Sequence, residues 1–221
     1  MLLTELFTWA IALLALIPCY SDIHSNFVPK LMRESSFQHL TFAICFILFL
    51  LWSAEAGIKI GLGIHFLGLT CLTLMYGWRI AYLVCWPIVS CLVLFGPLSL
   101  ASMGQFLLLS CFVPILTSYG IFLISYHFLP RNIFVYIFVA GFINGAISGS
   151  IHLLVTGLFY LLTGVYSWPT IVDNYLLFMV LLAFPEGFLN GIAITVLTVF
   201  KPEWLRTFSD RDYIYSHYHK K

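Results

Sequence analysis

Charge is scarce in this sequence. Lysine and arginine together number 10, and aspartate and glutamate 9, so that 9% of 221 residues are charged. A soluble domain carries roughly 25%. With 62% hydrophobic residues and a mean hydropathy of +1.01, water is excluded as the main solvent. No linker rich in glycine, serine or proline is long enough to separate domains, which leaves one transmembrane domain, 1–200, and a charged, aromatic tail, 201–221. The missing motifs exclude whole chemistries. There is no H-E-x-x-H for an intramembrane zinc protease, and no glycine-rich phosphate loop ending in Lys-Ser or Lys-Thr, so the chain cannot use ATP itself. Ser148-Gly149 offers half of a serine intramembrane protease, but the histidines after His152 are His217 and His219, both in the tail. Paired carboxylates and a His–Asp unit are missing too. The six cysteines (Cys19, Cys45, Cys71, Cys85, Cys91 and Cys111) form no C-x-x-C and lie in or beside apolar segments, so they read as small buried hydrophobes. No internal repeat suggests a transporter of two similar halves. IPCYSD is no small-residue cleavage site and no basic region precedes the first apolar run, so a removable signal peptide is not expected.

What is present is apolar sequence in lengths that cross a bilayer, for which about 20 helical residues suffice. Seven spans are predicted, at 2–20, 37–54, 62–76, 80–95, 105–129, 132–164 and 173–200. The third and fourth are short and meet in a tight re-entry at Gly77-Trp78-Arg79. The last two are long enough to tilt or kink. Backbone groups in lipid must be satisfied internally, and apolarity that is continuous rather than alternating selects helices over a barrel. The fold class is therefore all-α, a polytopic helical membrane protein. With the N-terminus outside, the inner side collects Lys30, Arg33, Arg79, Arg131, Lys201, Arg206, Arg211, Lys220 and Lys221, and the outer side only Lys59. That asymmetry is the expected one, and it puts the C-terminus inside. Trp52, Trp78, Tyr166, Trp168 and Trp204 fall near predicted ends, as interfacial anchors do.

A few polar residues lie where lipid would penalise them. Glu186, in LLAFPEGFLNGIAITV, sits near the middle of the last span, between Pro185 and Gly187 and one helical turn from Asn190. Intramembrane carboxylates face a bundle interior or a cavity, so Glu186 reads either as a bonded structural group or as a functional one. In GFINGAISGSIHLL, Asn144, Ser148 and His152 share a face, and Gly141, Gly145 and Gly149 form a neighbouring stripe suited to close packing. That polar face is either glue between helices or the wall of a cavity. His65 opens the third span on the outer side, after GIKIGLG, and is either an interhelical bond or a metal ligand. Ala10, Ala12 and Ala15 could form a small-residue docking face on the first span.

GLGIHFLGLTCLTLMYGWR resembles a signature of the CbiM/NikM family, the substrate-capturing membrane subunits of energy-coupling-factor transporters for cobalt and nickel. In that family a glycine-rich loop enters Gly-His-Leu-Leu-Gly, and a short span then ends in Gly-Pro-Trp. His65 matches the family's metal-binding histidine, Gly68 the closing glycine and Gly77-Trp78 the end of the span. Glu186-Gly187 falls on the pair that opens the family's last helix, while the fifth and sixth spans match in general character, with Gln105 where the family tends to have Asn. LPRNIFVYIFVAGF, FPEGFLNG and KPEW are more closely similar to a proteobacterial branch of these permeases. One departure concerns the metal site. Typical members begin Met-His, and their amino terminus helps to bind nickel, whereas this chain begins Met1-Leu2-Leu3-Thr4.

The resemblance implies a multi-pass protein of the bacterial inner membrane, not an enzyme, without a permanent cofactor. Its substrate would be a transition-metal ion, and its partners a transmembrane coupling subunit, cytoplasmic ATPases and the lipid, with no nucleic acid. His65, His152 and Glu186 are the expected metal ligands, with Asn144, Ser148, Asn190, Cys91 and Cys111 lining or supporting the cavity. A His/Cys set would suit copper, zinc or nickel. Two other readings stay open: a factor that delivers metal to a membrane metalloenzyme, and a membrane enzyme using Glu186 and His152 as an acid–base pair.

Overall fold

The computed structural model describes residues 2–57, 59 and 61–214, so the His217 and His219 pair lies outside the described residues. Six helices among them are long and apolar enough to cross a membrane: α1 (Leu3–Ser25), α2 (Ser35–Ser53), α3 (Leu69–Phe95), α4 (Leu100–Phe128), α5 (Ile133–Leu162) and α6 (Trp168–Phe200). The fold is all-helical, as expected for a polytopic membrane protein. Large apolar side chains such as Phe42, Phe46, Phe134, Phe184 and Leu181 point outward, more apolar surface than a water-soluble monomer leaves bare.

The third and fourth of the expected spans are joined in α3 and meet at Gly77, where the sequence suggested a tight re-entry. That element is folded rather than straight. Gly77 breaks it with φ 76° and ψ 160°, values outside any helix. Before the break, the chain runs antiparallel to α2: the Trp52 indole N–H donates to the Leu67 carbonyl at 3.0 Å, and the Thr41 and Tyr76 hydroxyls meet at 2.8 Å. After it, the chain returns along α1. Arg79 pairs with Asp22 at 3.5 Å, the Tyr82 hydroxyl donates to the Ala12 carbonyl at 3.0 Å, and Trp86 packs against Trp9. The residues of α3 therefore make a short arm, 69–76, and a full-length arm, 78–95. Ala12 and Ala15, which the sequence offered as a docking face for a partner, are buried in the chain's own core, while Ala10 is exposed.

Two further packings position the site. The glycine stripe of α5 lies against α6, so that an added Cβ would come within 3.3 Å of Ile194 at Gly141, 3.0 Å of Asn190 at Gly145 and 3.0 Å of Glu186 at Gly149. Small residues at this spacing let two backbones approach, which brings the polar residues of α6 up to the chain before α3. The described part of the tail folds back over the Gly77 turn. Arg206 N–H donates to the Met75 carbonyl at 3.0 Å, and the Thr207 hydroxyl to the Leu74 carbonyl at 2.8 Å. These satisfy carbonyls that end the short arm, which the glycine leaves without helical partners. Phe208 and Tyr213 pack on Tyr136 beside them.

Candidate metal centre

His65 is carried by the segment between α2 and α3, whose shape follows from its glycines and two side-chain anchors. Ala56 and Ile64 exchange backbone hydrogen bonds at 2.9 and 2.7 Å, making a narrow loop. Gly61 and Gly68 turn it with φ of +80° and +64°, conformations that favour glycine. At the far end, Glu186 of α6 accepts from Leu67 N–H and Gly68 N–H, each at 2.8 Å, and Asn190 bonds both its carboxylate and Cys71 N–H at 2.8 Å. These N–H groups open the short arm of α3 and have no helical acceptor of their own. A carboxylate at a helix N-terminus meets the positive end of the dipole. Glu186 thus fastens the His65 segment to α6. Among the described residues no hydrogen bond joins it to His152, and it does not line the cavity described next.

His152 is set by α4. Residues Phe106–Phe112 form a π-helical turn in which Val113 N–H reaches back to the Leu108 carbonyl. The next donor in that register would belong to residue 114, which is proline and has none. The Leu109 carbonyl is left free and accepts from His152 Nδ1 at 3.2 Å. A carbonyl can only accept, so Nδ1 carries the hydrogen and Nε2 presents its lone pair. Metal-binding histidines are oriented in this way.

The two imidazoles meet at one cavity. Their ring centroids are 5.7 Å apart, and His65 stacks on Phe106 at 5.3 Å. Both are buried, His65 to 6% and His152 to 1% exposure, yet both nitrogens of His65 and Nε2 of His152 have no hydrogen-bond partner. Buried polar atoms in folded proteins are almost always paired, so three such atoms together call for a ligand. The cavity, about 660 Å³, is also lined by Gln105, Thr156, Tyr160 and Tyr175, with Glu5 and Glu55 among its carboxylates.

Of the other expected site residues, Asn144, Ser148, Asn190, Cys91 and Cys111, none lines this cavity. Asn144 donates to the Ser118 carbonyl at 3.0 Å and its hydroxyl at 3.1 Å, and accepts from Ser148, tying α5 to α4. Cys111 is fully buried, Cys91 partly, and both lie away from the histidines' cavity. Among the described residues, no three His, Cys, Asp or Glu side chains stand together as a metal cluster. Gln105 was noticed only as a family substitution, and Tyr160 and Tyr175 were not distinguished from the many interfacial aromatics. Asn144→Ala is expected to lower the thermal midpoint by about 5 °C through loss of an interhelical bond. It should leave metal affinity unchanged, and a matched loss of affinity in a titration would place Asn144 in the site instead.

Comparison with known proteins gives the family and the fold. The family model for CbiM, described as a cobalt uptake substrate-specific transmembrane region, matches residues 2–204. Two crystal structures share the fold. One, of a truncated transition metal transporter, has a TM-score of 0.76 at 15% identity, covering 90% of this chain and 95% of that one. The other, of a transition metal transporter, has a TM-score of 0.75 at 14% identity, covering 90% of this chain and 89% of that one. No curated protein matches the chain. With nearly its whole length matched, the chain belongs to the CbiM family of metal-uptake membrane components, as GLGIHFLG and FPEGFLNG suggested.

Proposed function

We propose that this protein captures a transition-metal ion at the outer face of a bacterial inner membrane and holds it between His65 and His152. The observation that carries this reading is the pair of adjacent buried imidazoles whose nitrogens lack partners at a cavity wall. Imidazole nitrogen suits zinc, copper, iron and nickel. Glu186 and Asn190 act as positioning residues, since their polar atoms are spent on the backbone that presents His65. The positive-inside asymmetry supports an outward-facing cavity, because Arg79 and Arg206 gather at the opposite end, around the Gly77 turn. Without a nucleotide site of its own, the chain would depend on a transmembrane coupling subunit and cytoplasmic ATPases for release inward. Family membership supports that arrangement.

The test is metal content. Purified protein in detergent, equilibrated with nickel, cobalt, copper or zinc and passed through a desalting column, is expected to retain about one equivalent of one of them. His65→Ala and His152→Ala should each retain almost none while unfolding at the wild-type temperature. Equal retention in wild type and both variants would sink the site, and retention in none would sink the function.

A further inference from the structure

The histidines' cavity has a buried end and an exposed one. His65 and His152 are buried at the first, while Glu55, Gly61 and Ser99 are exposed at the second. What the buried end offers is a pair of neutral imidazoles with unpartnered nitrogens. A neutral lone pair binds a metal at about 2 Å and exerts little force beyond that, so the histidines can hold a cation but cannot draw one from solution. The charged side chains on the cavity wall are both carboxylates, Glu5 and Glu55. Lys59, the one basic residue that the sequence assigns to the outer side, does not line it.

The chain makes room for Glu55. A Cβ at Gly63 would overlap its carboxyl group, so the side chain lies over a residue that has none. The narrow loop paired at Ala56 and Ile64 thereby presents a carboxylate at the mouth of the cavity and an imidazole inside it. Glu5 comes from a different element, the first turn of α1. Neither carboxylate makes a salt bridge among the described residues. Neither joins the two histidines in a group of three possible ligands. Two carboxylates without a cationic partner, on the wall of a cleft but outside coordination reach of its imidazoles, raise the local concentration of cations.

Resting on the metal-capture reading above, we propose that Glu5 and Glu55 form an entry site for hydrated divalent cations, which sets how fast the metal arrives, while His65 and His152 set how long it stays. The ion keeps its waters beside the carboxylates and exchanges them at the imidazoles. Steering by a cleft of one charge is worth about tenfold to a thousandfold in association rate, and two carboxylates belong at the lower end of that range.

The experiment is stopped-flow fluorescence on the full chain in an uncharged detergent, with copper(II) as the probe because it binds nitrogen sites most strongly among divalent first-row ions. Trp52 lies 5.6 Å from Phe106, on which His65 stacks, so bound copper quenches its emission. Glu5→Gln combined with Glu55→Gln is expected to slow association about tenfold at about 10 mM salt and to leave dissociation unchanged. At about 1 M salt, where the Debye length is about 3 Å, its association rate should converge with that of wild type. Glu203→Gln, which removes a carboxylate from the tail, should change neither rate, and His65→Ala should speed dissociation. Unchanged association in the double variant overturns the entry site and leaves metal capture standing; it is the result expected if Glu5 serves only the dipole of α1. Faster dissociation at unchanged association would make a carboxylate a ligand and overturn the entry site equally. If copper(II) binds the folded wild-type protein at neither salt concentration, both readings fall.

Discussion

Glu186→Gln is expected to weaken metal binding by up to about a hundredfold without touching a metal ligand. The carboxylate accepts three hydrogen bonds that reach it from outside α6's own backbone ladder: Leu67 N–H on one oxygen, and Gly68 N–H and the Asn190 amide on the other. A glutamine must put an NH₂ group on one side. Whichever way it turns, a donor then faces a buried donor. Loss of one charge-assisted bond and exposure of an unmet N–H together cost about 3 kcal/mol, and that cost falls on the closed position of the segment carrying His65. Apparent affinity falls with the population of the competent state. Hydrogen exchange separates this from a direct role. If Glu186 positions the segment, the amides of Leu67 and Gly68 lose protection in the glutamine variant, together with the metal. Lost metal with both amides still protected would make Glu186 a ligand, as the sequence first suggested.

That difference shows what the sequence could and could not display. Glu186 and Asn190 share a helical face, and both stand out as polar residues in an apolar span, so their importance was legible. Their role was not, because the groups they bind are backbone N–H of Leu67, Gly68 and Cys71, which every residue type but proline possesses. The glycine stripe of α5 was legible for the opposite reason, since only the absence of side chains permits contacts near 3 Å. His65 and His152 could be placed on the same side of the membrane from span order alone. That they face each other depends on a π turn ended by Pro114, a register that apolar periodicity does not encode. Cys111 shows the limit most plainly. It follows Ser110, which lines the cavity, but one residue turns a helix by about 100°, and its thiol lies in the core instead.

The reversal at Gly77 sets the second large expectation, that Gly77→Ala costs about 3 kcal/mol of stability and lowers the thermal midpoint by about 6–12 °C. The reason is conformational rather than steric crowding. An added Cβ would meet the Arg206 side chain at 3.5 Å, an ordinary contact. However, φ 76° with ψ 160° belongs to a region that glycine alone enters freely. Two controls isolate this cause. Gly77→Asn should be about as damaging, because asparagine tolerates left-handed helical ψ near +47° but not an extended ψ. Adding Arg206→Ala to Gly77→Ala should give no rescue, since the pair would then be additive within about 0.5 kcal/mol. Rescue by Arg206→Ala would mean crowding is the cause. An alanine variant that melts like wild type would mean that the short arm does not turn at this residue. The placement of His65 depends on that turn, because the arm it ends is fastened at Leu74 and Met75 to the tail and at Leu67 and Gly68 to Glu186. Forcing alanine's preferred angles on Gly77 displaces one of those ends from its anchor, so metal affinity should fall with stability in this variant, whereas Asn144→Ala changes stability alone.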